Sequence, residues 1–280
     1  MTGGGARGRA PVTLTAPAKL TLSLKVTGVR ADGYHLLDSE MVSLDLADTL
    51  AVGDGDRLTI SSGAVGDLAV STGTVPTGPD NLVARALAAV GRSAAVHVTK
   101  RIPPGAGLGG GSADAAAILR WAGCTDLDVA AALGADVPFC LTGGRARVRG
   151  IGEEVDPLPF EGRSFTLLLL PFGVDTAAVY RAWDGLVSRG GAGLSEPWTG
   201  PAGNDLEVPA LIVEPRLGPW RTRFGDATGR RPRLAGSGST WFVDGTPDEV
   251  GFDDTRTLDL GEETAVLVAV RTVPSVGGVL

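Results

Sequence analysis

RIPPGAGLGGGSADAAAILRWAG, residues 101–123, sets a glycine-rich loop directly against an alanine-rich helix former. Five glycines within Gly105–Gly111 remove the Cβ atoms that would hold a phosphate away from the backbone N–H groups. Ala113 to Trp121 predicts a strong helix that begins where the glycines end. The first turn of such a helix leaves amides unpaired and presents the positive end of its dipole, so loop and helix together suit a triphosphate. Ser112 adds a hydroxyl for a phosphate oxygen or a metal, and Asp114 sits on the first turn. The loop is not a Walker A sequence, because Gly111 stands where that motif needs lysine. Neither is it a dinucleotide fingerprint, which opens a parallel βαβ unit. A linker would not run straight into an alanine helix.

Upstream, Ala94–Lys100 alternates as a strand, so the order is strand, glycine loop, helix. Val12–Val26 alternates in the same way and is interrupted at Pro17; the GVRADGYH turn follows, broken at Asp32-Gly33. Asp45–Ile60 predicts strand with a turn at 53–56, and 68–71 a short strand. Asn81 stands before LVARALAAV as a helix cap. Downstream, Asp126–Leu133 predicts a short helix, ARVRG a strand, and the proline- and glycine-rich 156–162 a domain boundary. Ser164–Leu170 reads as strand and Thr176–Leu186 as helix capped by Thr176. Then come a loose segment at 188–203, a weak helix at 208–213, a strand-turn-strand around LAGSGSTWFV, and a last strand, 264–272. This mixture of helices and strands, not strictly alternating, predicts an α+β protein in two domains.

The chain has 280 residues, 43% of them hydrophobic, enough for a sizeable core. Its formal charge of −7 gives no global attraction for nucleic acid or anionic lipid, so any phosphate site must be local. Cys124 and Cys140 form no CxxC pair, and His35 and His97 are far apart, which argues against a zinc site or disulfide framework. His97 alternates with valines and reads as structural. MTGGGARGRA, residues 1–10, reads as a flexible tail without the apolar stretch of a signal peptide. The run from Phe165 to Pro171 is too short to span a bilayer and reads as a buried strand, with a cytoplasmic location expected. Only three lysines occur, Lys19, Lys25 and Lys100; where arginine supplies nearly all positive charge, a lysine marks a place wanting a compact ammonium.

PPGAGLGGGSADAA resembles the ATP loop of the GHMP kinases. PAKLTLSLKVTGVRADGYH (17–35), LGADVPFCLTGG (133–144) and AGSGST (235–240) resemble one branch of that family, which phosphorylates the 2-hydroxyl of a cytidine diphosphate-linked methylerythritol in non-mevalonate isoprenoid synthesis. The resemblance implies a ribosomal S5 domain 2-like N-terminal domain over 11–157 and a ferredoxin-like C-terminal domain over 163–280. It implies ATP with Mg²⁺ held by Pro103, Pro104, Gly105, Ala106, Gly107, Leu108, Gly109, Gly110, Gly111, Ser112 and Ala113. Its catalytic lysine and aspartate fall on Lys19 and Asp136. A carboxylate is too weak a base to ionise an alcohol beforehand, so Asp136 would orient the hydroxyl and take its proton late, with Lys19 keeping it ionised. The cytidine pocket falls on Tyr34, His35 and Tyr180, a ring sandwich for a pyrimidine, and the third glycine turn on Gly236, Ser237 and Gly238. Thr21 stands where the family usually has an asparagine, keeping a hydroxyl but not the amide's reach. The implied partner is that small-molecule substrate, with no nucleic acid or membrane; oligomeric state stays open. The alternatives are a relative acting on homoserine or a mevalonate derivative, and a non-catalytic nucleotide-binding relative.

Overall fold

The computed structural model describes residues 10–65, 68–70, 75–188, 203–252 and 257–275. The tail expected at 1–10, apart from Ala10, lies outside the described residues, as do Ser71 and the interior of the 188–203 segment.

The first half contains β1 (Val12–Val29), β2 (His35–Gly53), β3 (Leu58–Ser62), β4 (Ala64–Val65), β5 (Leu68–Ala69), α1 (Leu82–Ala89), β6 (Ala95–Lys100), α2 (Gly110–Trp121), α3 (Leu127–Leu133), α4 (Val137–Thr142), β7 (Arg145–Gly150) and β8 (Glu154–Pro157). The strand order β3-β6-β2-β7-β8 makes one sheet, with β1 running antiparallel beside the long β2 and only β3 and β6 parallel. The second half contains β9 (Ser164–Leu169), α5 (Thr176–Ser188), α6 (Glu207–Val213), α7 (Leu217–Thr228), β10 (Arg233–Leu234), β11 (Trp241–Asp244), β12 (Thr257–Leu260) and β13 (Glu263–Arg271). Its sheet is antiparallel in the order β10-β11-β9-β13-β12.

Three apolar cores stack through the molecule. Helices α1–α4 bury one face of the first sheet, and α5–α7 bury one face of the second. Between the sheets, Ala18, Leu20 and Leu22 of β1 meet Phe165, Leu167 and Leu169 of β9. The period of two explains why β9 is a continuous apolar run: Leu168 and Leu170 face the helices while Phe165, Leu167 and Leu169 face the middle core. The same alternation turns Lys19 and Thr21 of β1 away from that core.

Pro17 does not end β1; the strand continues through it with a register shift between Pro17 and Lys19. Asn81 caps α1, accepting from the Val83 N–H at 2.8 Å. Helix α2 starts at Gly110, three residues before its alanines, and takes glycine there because a Cβ would lie 3.0 Å from Ile102 and 3.1 Å from Lys100 Nζ. Asp175, not Thr176, caps α5, accepting from Ala177 and Ala178, while the Thr176 hydroxyl bonds Ser237 at 2.8 Å.

Replacing Leu167, fully buried in the middle core, by alanine should cost about 2–5 kcal/mol. Because that core belongs to both sheets, denaturant unfolding should stay a single transition at a lower midpoint; two separated transitions would show that the halves fold independently.

Candidate active site

A cavity of about 580 Å³ lies where β1, the glycine loop, the start of α4, α5 and the turn after β10 converge. In the loop, Gly105, Gly107 and Gly109 take φ of 72°, 76° and 69°, left-handed values that disfavour a side chain. Close approach matters as much. A Cβ on Gly107 would lie 2.4 Å from the Ala235 carbonyl oxygen and 2.6 Å from that of Gly238; one on Gly109 would lie 2.8 Å from Lys19 Cγ. The loop is anchored by its carbonyls: Leu108 O accepts from Lys19 N at 3.0 Å, and Ala106 O from Thr240 N at 3.3 Å. The amides of Gly107 to Ser112 donate to no acceptor among the described residues. They form, with the start of α2, a row of donors for an anion.

Lys19 is only 5% exposed, and its Nζ stands 3.4 Å from Asp136 Oδ2 and donates to Thr21 Oγ1 at 3.1 Å. Asp136 occupies the position before α4, yet its carboxylate makes no capping bond there. Pro138 within the first turn contributes no N–H, which leaves the carboxylate, one-third exposed, available to the cavity. Thr21 accepts a hydrogen bond from the lysine, so its own O–H hydrogen is free for another partner.

Beneath the loop, Lys100 bonds Asp114 at 2.7 Å and makes a shorter contact with Asp48. Asp48 is fully buried and also accepts from the amides of Arg101 and Ile102. Burial lowers the Lys100 pKa, but the two carboxylates outweigh it and hold the ammonium charged. Burial pushes Asp114 up to about 7, with Asp48's charge adding to it and Lys100 opposing. The other Asp114 oxygen has no partner.

The third turn closes on the first. Gly236 sits over Lys19 and Thr21, and Asn204 Nδ2 donates to the carbonyls of Leu234 (3.0 Å) and Gly236 (2.7 Å). On the α5 side, Tyr180 lines the cavity, and burial pushes its hydroxyl pKa up. His35 stacks on Tyr180 with 4.6 Å between centroids, meets Trp183 edge-on, and its Nε2 lies 2.7 Å from Asp184 Oδ1. A base between two rings needs two stacking layers, and this spacing holds none between His35 and Tyr180. Tyr34 is 58% exposed beneath Arg30 and does not line the cavity.

Of the residues singled out in sequence, Lys19, Thr21, Pro103 to Ser112, Asp136, Tyr180, Gly236 and Ser237 line one cavity. Ala113 points into the first core, and Gly238 packs on Leu234 and Val174. Asp48, Asn204, Trp183 and Asp184 carry geometry the sequence reading gave no role. Only the scarcity of lysine hinted at the buried cluster: two of the three lysines meet carboxylates at this cavity.

Residues 81–144 match the N-terminal domain of the GHMP kinases. The chain is 39% identical over 244 residues to 4-diphosphocytidyl-2-C-methyl-D-erythritol kinase of Paracoccus denitrificans, covering 81% of this chain and 84% of that one. It is 36% identical to the enzyme so named in Rhizobium meliloti, over 99% of this chain and all of the relative. A crystal structure of 4-(cytidine 5'-diphospho)-2C-methyl-D-erythritol kinase superposes with a TM-score of 0.65 at 30% identity, covering 94% of this chain and 100% of that one.

Gly107→Ala should destabilise more than Gly91→Ala. Both sites have positive φ, but nothing lies within 4 Å of the Gly91 position. We expect about 1–2 kcal/mol at Gly91 and a clearly larger loss at Gly107, read as thermal midpoints; equal losses would contradict the close approach. Asp114 makes a pH test. Its pKa rises from 3.8 unfolded to about 7 folded, so the folded state holds an extra proton between those values. Its stabilisation is full below pH 3.8 and is lost as pH rises through about 7. Wild type should therefore lose stability relative to Asp114→Asn across that window; a pH-independent difference would refute the shift.

Proposed function

This chain belongs to the family of 4-diphosphocytidyl-2-C-methyl-D-erythritol kinases within the GHMP kinases, and on that premise we propose how its cleft works. The enzyme transfers the γ-phosphoryl group of ATP to the 2-hydroxyl of 4-diphosphocytidyl-2-C-methyl-D-erythritol, a step of non-mevalonate isoprenoid synthesis. The observation that carries the catalytic assignment is the approach of Lys19 Nζ to within 3.4 Å of Asp136 Oδ2 beside a row of unpaired loop amides.

The loop amides and the Ser112 hydroxyl receive the triphosphate, replacing water with fixed dipoles where charge develops. Asp136 accepts a hydrogen bond from the acceptor alcohol. As the new O–P bond forms and the bond from the γ-phosphorus to the bridging oxygen breaks, the alcohol proton passes to the Asp136 carboxylate. Lys19 holds that carboxylate in place, and Thr21 holds Lys19. Tyr180 offers a face for the cytosine ring, with His35 fixed behind it by Asp184. Residues 11–157 supply the loop and the catalytic pair, and 163–280 supply Tyr180 and the third turn.

The oxygen donors suit a magnesium ion carried by the nucleotide. Ser112 and Asp136 line the cavity, while no group of three or more acidic, histidine or cysteine side chains among the described residues forms a cage. When bound, such an ion neutralises phosphate oxygens. No described helix is long and apolar enough to cross a membrane. Free thiols at Cys124 and Cys140 support a cytoplasmic setting.

Phosphorus NMR of the protein with MgATP and the cytidyl substrate should show a new phosphomonoester resonance; its absence would remove the proposed reaction. Asp136→Ala should lower kcat by about a thousandfold, roughly 4 kcal/mol in the barrier, with little change in thermal midpoint. Near-normal turnover in that variant would sink the role of Asp136.

A further inference from the structure

A second cavity, of about 440 Å³, shares no lining residue with the first. It is lined by four arginines (Arg145, Arg163, Arg231 and Arg233), the carboxylates Glu40 and Asp244, and Leu22. Strands of both sheets contribute: Leu22, Glu40 and Arg145 from β1, β2 and β7, and Arg233 and Asp244 from β10 and β11.

The charges do not balance locally. Arg145 donates to Glu40 at 2.8 Å and also meets Glu161 at the rim. Arg163 and Arg233 share the single carboxylate of Asp244, each at 2.5 Å. Arg231 makes no ion pair with any described residue. Three guanidiniums thus converge where one carboxylate answers them, on a chain whose net charge is −7. A guanidinium carries five N–H donors, and Arg163 and Arg233 each spend one on Asp244, so most of their capacity is uncommitted.

The guanidiniums are also held in place. Arg163 lies over the Phe165 ring at 5.0 Å and Arg233 over Phe242 at 4.4 Å, and those two rings pack edge to face in the middle core. Cation–π stacking on rigid aromatic faces fixes the plane of each fork before any ligand arrives. Planar forks with spare donors match the oxygens of phosphate groups in bidentate fashion.

We infer that this arginine-lined cavity is a second anion site, taking the diphosphate group of a small organic diphosphate and bridging the two sheets when occupied. Arg231 lines the same cavity as the Arg163–Arg233 pair, so two linked phosphoryl groups would give both a set of oxygens where a lone phosphate would leave much of the volume empty. Binding to the folded chain alone must raise its stability with the logarithm of ligand concentration once that exceeds Kd. The inference does not rest on the reaction proposed for the first cavity.

The test is calorimetric titration of the full-length protein with inorganic pyrophosphate, without divalent metal, in the presence and absence of a saturating non-hydrolysable ATP analogue. Pyrophosphate should still bind with the analogue present and raise the thermal midpoint. Arg231→Glu, at an exposed and unpaired position, should weaken that binding by about tenfold or more while leaving the kinase rate without pyrophosphate unchanged. Binding that disappears with the analogue and is indifferent to Arg231→Glu would place the anion in the first cavity and overturn the inference. So would an equal midpoint shift from sodium chloride at matched ionic strength, which would be screening alone. The Arg231→Glu arm reads the second cavity whatever the first one holds.

Discussion

Three segments distant in sequence approach within van der Waals contact only because the backbone from 105 to 111 carries so few Cβ atoms. Gly107 fits between the carbonyls of Ala235 and Gly238, and Gly109 lies against the stem of Lys19. Put a methyl group at either position and the third turn or Lys19 must move. The same close fit uses the loop's carbonyls as anchors, through Lys19 N and Thr240 N, and so leaves its amides unspent. One steric constraint thereby sets both the position of the lysine and the direction of the donors.

That constraint is useful because β1 is rigid. Its middle residues alternate between the core that joins the two sheets and the cavity, so Ala18, Leu20 and Leu22 clamp the strand while Lys19 and Thr21 face the cavity. Burial also does chemical work. With the lysine 5% exposed, its charge is weakly screened, and a partner at 3.4 Å feels it more strongly than it would in water.

The sequence exposed what depends on local pattern and hid what depends on distant pairing. Two-residue alternation located β1 and β6, the apolar run from Phe165 to Pro171 located β9, and the glycine-to-alanine transition located the loop and helix α2. Helix α7 escaped notice because Gly218, Pro219 and Gly225 weaken its propensity; it forms because Leu217, Trp220 and Phe224 bury one face. Helix α4 was masked by a proline that reads as a turn but is tolerated in a first turn. Asp48 sits in an ordinary-looking strand, DLADTL, and becomes significant only when β2 pairs with β6 and brings Lys100 beside it. Tyr34 shows the converse. Its neighbour His35 reaches Tyr180, but the turn directs Tyr34 itself to solvent under Arg30.

Side-chain charge alone does not explain how this cleft attracts a triphosphate. The cavity is lined by two lysines against three aspartates, Asp80, Asp114 and Asp136, with Asp48 buried behind them. Lys19 is answered by Asp136, and Lys100 by two carboxylates. Even with Asp114 protonated, the lining offers no cationic excess. On the protein's side, the groups left to attract it are neutral ones with oriented dipoles: the unpaired amides from Gly107 to Ser112 and the first turn of α2. Dipoles of this kind fall off quickly with distance, so they favour a phosphate seated in the loop without drawing polyanions in general. That fits a chain of net charge −7 and lysines placed to hold carboxylates in position. On the proposed mechanism the glycines bind the phosphate, Lys19 holds Asp136 for the alcohol, and Lys100 holds Asp48 and Asp114 beneath the loop.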